Sequence, residues 1–213
     1  MPDQTHEKNA LFQFRTFLRN ELVLGFERYL NIRTCSMSDQ LDEGQGPVLY
    51  HDGIPYETIN YFYLHWILAL TKLKPWDVVY DLGAGMGRFL CLAARRNIRK
   101  CVGIEYSRTL CEIAERNAAM LRGRKAPIEI VCRDAAQADL TSGTVFYMYN
   151  PFGPGTMRMI LDNIRSSLRV NPRPISFIYT NPVHEDLFRG CGFLHKTGQV
   201  TTPFNLKVSF WRH

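Results

Sequence analysis

The residues able to do chemistry fall at four places in the chain. Asp81-Leu82-Gly83-Ala84-Gly85-Met86-Gly87 follows the β-branched pair Val78-Val79 and runs on into Arg88-Phe89-Leu90. Glycine is needed where φ is positive or where a ligand presses on the main chain. Three glycines at alternate positions between strand and helix therefore predict a ligand lying on bare backbone at the strand's C-terminal edge. Glu105, 18 residues after Gly87, precedes Tyr106 and Ser107. A charged acceptor there can take hydrogen bonds from both hydroxyls of a ribose, or merely favour the positive start of the next helix. Asp134, followed by Ala135, can accept from an adenine amino group or act as a plain N-cap. Asn150, in Asn150-Pro151-Phe152-Gly153, carries donors and an acceptor on a turn fixed by proline and glycine. Together these describe an adenosine-containing ligand held beside a reacting centre.

The elements that must position these residues are legible from periodicity. Residues 8–31 predict a helix with Leu11, Phe14, Leu18, Leu22 and Phe26 on one stripe and further apolar residues off it, so it needs cover on two sides. A polar loop over 33–55 follows. A second helix over 57–73 carries a stripe of Ile59, Phe62, Tyr63, Trp66, Ile67 and Leu70, and Pro75 ends it. Strands at 77–81, 101–105, 128–132, 144–149 and 174–180 then alternate with helices at 87–96, 108–121, 154–169 and 183–189, with a short connection after the third strand. That alternation implies right-handed crossovers and a parallel sheet. Residues 193–197 and 206–211 have no helix between them and predict an antiparallel hairpin at the sheet's edge. The expected fold is α/β: a three-layer αβα sandwich with a seven-stranded, mostly parallel sheet, an antiparallel C-terminal hairpin and an N-terminal helical extension. The expected division is 1–55, a helix and loop acting as cap or lid, and 56–213, the ligand-binding domain.

Composition narrows the class. No apolar run has the length of a membrane span, and the polar N-terminus lacks a signal-peptide pattern. The six cysteines have no CxxC spacing, and several lie inside apolar elements, which favours reduced core thiols and the cytoplasm over disulfides or a metal site. The net charge of +6 permits an acidic partner. Its cations concentrate in two clusters, Arg95-Arg96 with Arg99-Lys100 and Arg122 with Arg124-Lys125.

Taken with the final hairpin, the four strand ends resemble those of class I S-adenosylmethionine-dependent methyltransferases over about residues 56–213. Asp81 to Gly87 resembles that family's first motif, Glu105 its ribose-binding acid, and Asp134 the acid beside adenine. Asn150-Pro151-Phe152 is similar to the Asn-Pro-Pro-aromatic motif of members that methylate nitrogen, with one proline missing. Ile54-Pro55-Tyr56-Glu57-Thr58 is similar to a stretch before the first motif in some protein-lysine methyltransferases. The resemblance implies S-adenosylmethionine (or the product S-adenosylhomocysteine) bound by Asp81, Gly83, Ala84, Gly85, Gly87, Glu105, Tyr106, Asp134, Ala135, Asn150, Tyr56 and Thr58. It implies Asn150, Pro151 and Phe152 at the catalytic centre, no metal, and a protein, small-molecule or, less favoured, nucleic-acid acceptor. A homodimer through the N-terminal helix fits that helix's apolar sides. A nicotinamide-dependent oxidoreductase shares the glycine loop, but its G-x-G-x-x-G needs the third glycine one position later, where Arg88 stands. A non-catalytic cofactor-binding protein on the same fold is the third reading.

Overall fold

The computed structural model describes residues 21–35, 59–202 and 205–213. Its centre is a seven-stranded sheet: β1 (Val78–Leu82), β2 (Lys100–Glu105), β3 (Ile128–Cys132), β4 (Val145–Tyr149), β5 (Ser176–Thr180), β6 (His195–Thr201) and β7 (Lys207–Arg212), in the order β3-β2-β1-β4-β5-β7-β6. The first five pair in parallel, and β7 inserts antiparallel between β5 and β6. Strand order reverses between β1 and β4, which places the ligand crevice of an open α/β sheet at their C-terminal ends. Asp81 faces Tyr147 in register across that switch point.

Helices cover both faces. Helical residues 21–30 (α1), α2 (Tyr61–Thr71), α3 (Arg88–Ala93) and α4 (Arg108–Met120) lie on one side. Their core joins Leu30, Leu64, Ile67 and Leu90 to Val79, Tyr147 and Ile178 of the sheet. On the other side α5 (Pro154–Val170) and α6 (Glu185–Gly190) pack Ile160, Ile164 and Phe188 onto Phe146, Phe177 and Trp211. Successive strand residues point to opposite faces, so alternate residues such as Phe146 and Tyr147 feed separate cores. Gly103 on β2 is fixed by packing: a Cβ there would stand 2.5 Å from a methyl carbon of Leu90 and 3.0 Å from Ala84.

Three expectations shift. The stripe assigned to the second helix holds in part: Ile59 and Ile67 are buried and Tyr63 and Trp66 pack against the core, but Tyr61, Leu64 and Leu68 join the buried face. Asn60 caps α2 by accepting from the Phe62 amide, Ile59 precedes the helix, and the buried face is Tyr61, Leu64, Ile67 and Leu68. Phe62 and Leu70 are exposed. In α1 the buried positions are Glu27 and Leu30, while Leu22 and Phe26 lie on the outer side, Phe26 stacking on Tyr61. Both phases follow from one polar requirement, because Glu27 and Tyr61 turn inward to meet Arg88. Finally, α3 stops at Ala93, three residues short of its expected end, and β6 runs on to Thr201. Residues 8–20, most of the 33–55 loop, Tyr56 and Thr58 lie outside the described residues.

Candidate cofactor site

β1 ends in the expected turn. Gly83, Gly85 and Gly87 all have positive φ (79°, 53° and 80°), conformations that L side chains rarely adopt. The Gly83 and Ala84 amides both donate to the Ile104 carbonyl, which ties the loop to β2, and Gly87 caps α3. Gly83 also has a packing reason: a Cβ on it would stand 2.5 Å from Pro151 Cβ and 3.7 Å from the Phe152 ring. The turn after β4 is thus pressed onto the glycine loop, and the two segments form one wall.

Glu105 closes the loop from the side. One carboxylate oxygen accepts from the Gly85 amide at 2.8 Å and the other from the Ser107 amide at 2.8 Å. Burial raises its pKa, and the amides of Ser107, Gly85 and Tyr106 oppose the rise. Both expected roles are therefore compatible: the acid holds backbone, and each oxygen keeps a second lone pair for a hydroxyl. Asp134 caps the short 3₁₀ turn at Ala135–Gln137 by accepting from Ala136, the plain role weighed for it. Ala135 is buried and Tyr106 exposed.

Asp81 differs from all of these. It is 2% exposed and has no hydrogen-bond or ion-pair partner among the described residues. Burial, and next the negative charge of Glu105, hold its pKa well above the usual carboxylate range. A buried acid without a protein partner is costly unless something else supplies the positive charge. Its setting fits the cationic end of a ligand whose flat nucleoside lies along the bare glycine backbone. Two groups that no sequence pattern marks stand nearby on the same face. The Tyr147 hydroxyl and the Thr180 hydroxyl are buried near each other, neither with a partner within hydrogen-bond distance among the described residues, and the Tyr147 ring stacks on Phe89 at 3.7 Å. Burial, then the Asp81 charge, pushes the Tyr147 phenol up.

Asn150 sits in the left-handed region (φ 40°), where asparagine is among the residues best tolerated, and is 8% exposed. Its Oδ1 accepts from the Tyr179 hydroxyl at 3.1 Å, and that hydroxyl in turn accepts from the His184 amide. Tyr179 on β5 was invisible in the sequence because it reads as one more apolar strand residue. It leaves the Asn150 amide nitrogen as a donor with no partner among the described residues. Arg88, which first served only to reject the dinucleotide fingerprint, is a second missed residue. It is 6% exposed and donates from all three guanidinium nitrogens: to Thr34 Oγ1 (2.7 Å), the Ile59 carbonyl (2.9 Å) and the Thr34 carbonyl (2.9 Å), with Glu27 at 3.4 Å. Tyr61 lies under its guanidinium at 4.5 Å. Asn117 performs a parallel task, joining the backbone of Arg33 to the Met86 carbonyl.

The chain is similar in sequence and fold to known proteins. The profile of the family described as Histone methylation protein DOT1 matches residues 54–128, which contain the glycine loop and Glu105. A protein-lysine N-methyltransferase of Saccharolobus islandicus is 30% identical over 101 residues, 47% of this chain; the chain spans 62% of that relative's length. An RNA methyltransferase from Salinibacter ruber, solved with S-adenosyl-L-homocysteine, superposes with a TM-score of 0.56 at 25% identity, covering 75% of this chain and 93% of its own. A SAM-dependent methyltransferase from Aquifex aeolicus shares the fold at 12% identity (TM-score 0.56, 70% of this chain, 88% of its own). With the sheet order, the positive-φ glycines and the acid at the end of β2, these likenesses give the chain the fold and glycine-loop pattern of class I S-adenosylmethionine-dependent methyltransferases.

Proposed function

We propose that this protein transfers a methyl group from S-adenosylmethionine to a nitrogen, with a protein side-chain amine as the favoured acceptor. One observation carries the reading: the glycine loop and the Asn150 turn are packed against each other through Gly83 and Pro151. The residues that would hold the cofactor therefore adjoin Asn150, whose amide nitrogen has no hydrogen-bond partner among the described residues. When bound, S-adenosylmethionine supplies an activated methyl group. Asp81 would offset the positive charge of its methionine end, and Glu105 would accept from the ribose hydroxyls. Asp134, with Ala135, would lie beside the adenine. Asn150, oriented by Tyr179, would fix the acceptor, and Phe152 would exclude water. Desolvation favours the neutral amine that attack requires, and positioning of this kind can lower a barrier by about 7–11 kcal/mol. The protein-lysine N-methyltransferase likeness supports the acceptor class, and the Salinibacter RNA methyltransferase supplies the rival.

Within the segment 1–55 the described residues 21–35 are read as a fixed cap, because Arg88 and Asn117 fasten residues 27–35 to the glycine loop. The exposed side of α1 at Leu22 and Phe26 supports self-association, which sedimentation would detect. All six cysteines are free, in keeping with a reducing cytoplasm. Among the described residues no helix is long and apolar enough to cross a membrane. The deciding experiment incubates the protein and methyl-labelled S-adenosylmethionine with fractionated extract. Label is expected in protein, at nitrogen, and Asn150→Ala should lower turnover by roughly 100-fold or more. Full turnover by that variant would remove the role given to Asn150, and label confined to RNA would replace the acceptor class.

A further inference from the structure

The edge of the sheet opposite the cofactor site carries its own organised surface. Four segments meet at the N-terminal ends of the strands: 28–31, 72–76, 95–100 and 122–125. Main-chain bonds stitch them together. The Arg122 amide donates to the Leu30 carbonyl, the Lys125 amide to Ala94, and the Arg99 amide to Asp77. Within these segments the sequence has ten Lys or Arg and no Asp or Glu. The adjoining acids are already engaged. Asp77 accepts from the Lys74 amide and the Thr144 hydroxyl, and Glu129 pairs with Lys100. Arg96, Arg99, Arg122 and Lys125 are exposed and form no ion pair among the described residues.

Two large aromatic rings stand among these cations. Trp76 is 67% exposed and Tyr29 61%. Tyr29 is held in place by Arg95, which donates to its hydroxyl at 3.3 Å and lies 5.3 Å from its ring. A separate groove of about 740 Å³ between α1 and α4 adjoins this surface at Arg28 and Asn31 and runs toward Met86 of the glycine loop, with Glu27 on its wall. The field reaches inward as well: burial and then the charges of Arg96 and Arg95 hold the His65 imidazole below its ordinary pKa. Helix-end cations alone would account for scattered charges. They do not account for two sequence-distant clusters joined into one face, its four segments without an acid, around two solvent-facing rings.

We propose that this face binds single-stranded nucleic acid, the cations following the phosphates and Trp76 and Tyr29 offering stacking platforms to unpaired bases. Unpaired bases stack on any aromatic plane, and a basic track holds their backbone without sequence preference. A duplex would satisfy the cations and leave the rings without a partner. The surface lies at the far end of the strands from the glycine loop, so occupancy there leaves the cofactor edge open. It is a docking surface rather than the methyl-acceptor site.

The test is fluorescence anisotropy of the whole chain with a fluorescein-labelled, mixed-sequence single-stranded RNA of about 20 nucleotides, enough to span one such site. The same strand annealed to its complement, and poly-glutamate, are the comparison probes. Binding in the range of about 1–100 µM at physiological salt is expected, weakening with a log–log slope near −0.7 per phosphate contacted. Arg96→Glu with Arg99→Glu and Lys125→Glu should abolish it, and Trp76→Ala should weaken the single strand about fivefold or more while sparing the duplex. S-adenosylhomocysteine affinity by calorimetry and the far-ultraviolet dichroism should be unchanged in every variant, which separates lost docking from lost folding. The proposal is overturned by no anisotropy change, by binding that ignores salt or the triple charge reversal, or by a Trp76→Ala protein that binds the single strand as before. Poly-glutamate bound as tightly as RNA would also overturn it and assign the face to acidic protein.

Discussion

Two buried charges bracket the glycine loop, and the protein treats them in opposite ways. Arg88, at the start of α3, spends its donors on Thr34, Ile59 and Glu27 and lies over Tyr61. Asp81, at the end of β1, is as deeply buried and has no partner among the described residues. A buried charge that is fully paired fastens structure, whereas one left unpaired raises the free energy of the empty protein and marks where a ligand compensates. The first residue fastens residues 27–35 to the start of α3, and the second is the proposed anchor of the cofactor. Substitutions at the two sites should therefore separate stability from binding.

The largest effect is expected at Arg88. Arg88→Ala strands Glu27 in the interior, and removing one partner of a buried pair costs about 3–5 kcal/mol. Urea denaturation should show that loss. Arg88→Met combined with Glu27→Gln should recover a good part of it, because no uncompensated charge remains. An Arg88→Ala protein as stable as the wild type would mean that the network does not fasten the cap.

Asp81→Asn should do the reverse. It keeps the shape and removes a charge that burial already disfavours, so the ligand-free protein should be as stable or more stable. S-adenosylhomocysteine affinity, by calorimetry, should fall roughly 10- to 100-fold, the range for losing a hydrogen bond to a charged group. If affinity held while stability dropped, the two residues would have to exchange roles.

The pH dependence sharpens the same contrast. The pKa of Asp81 is raised on folding, so the native state holds a proton that the unfolded chain has released. The stability it contributes is present below the ordinary carboxylate range and is lost as pH rises through its elevated folded value. A cationic ligand favours the ionised form, so cofactor affinity should rise across the same window, with a proton released on binding. Calorimetry in two buffers of different ionisation enthalpy measures that proton. Asp81→Asn should abolish both effects.

Much of this frame was readable before any coordinates. β-branched runs that end in Asp81, Glu105, Asp134 and Asn150 announced where the strands stop, and a parallel α/β sheet brings such ends to one edge. Positive φ at Gly83, Gly85 and Gly87 followed from spacing alone. What escaped was non-local or disguised. Arg88 looks like a solvated residue opening a helix, and its partners lie 54 and 61 positions away. Tyr147, Tyr179 and Thr180 sit inside apolar strand runs, where periodicity records a face but not the fate of a hydroxyl. Part of the buried face of α2 escaped for the same reason: Tyr61 turns inward to meet a charge that a hydrophobicity pattern cannot see. The two basic clusters were plain, yet only the fold joins them across a turn.

The smallest effect tests how far unpaired polarity extends from Asp81. The Thr180 hydroxyl is buried with no partner within hydrogen-bond distance among the described residues, so in a purely structural role it should be a liability. Thr180→Val preserves shape and removes it, and should raise stability by up to about 1 kcal/mol by denaturant titration. If the hydroxyl belongs to the site, the same variant should also weaken S-adenosylhomocysteine or raise the KM of the amine acceptor. A gain in stability with binding and KM unchanged would confine the ligand-directed strain to Asp81. A gain accompanied by weaker binding would extend the site from β1 across β4 to β5, with the Tyr147 hydroxyl as its next member.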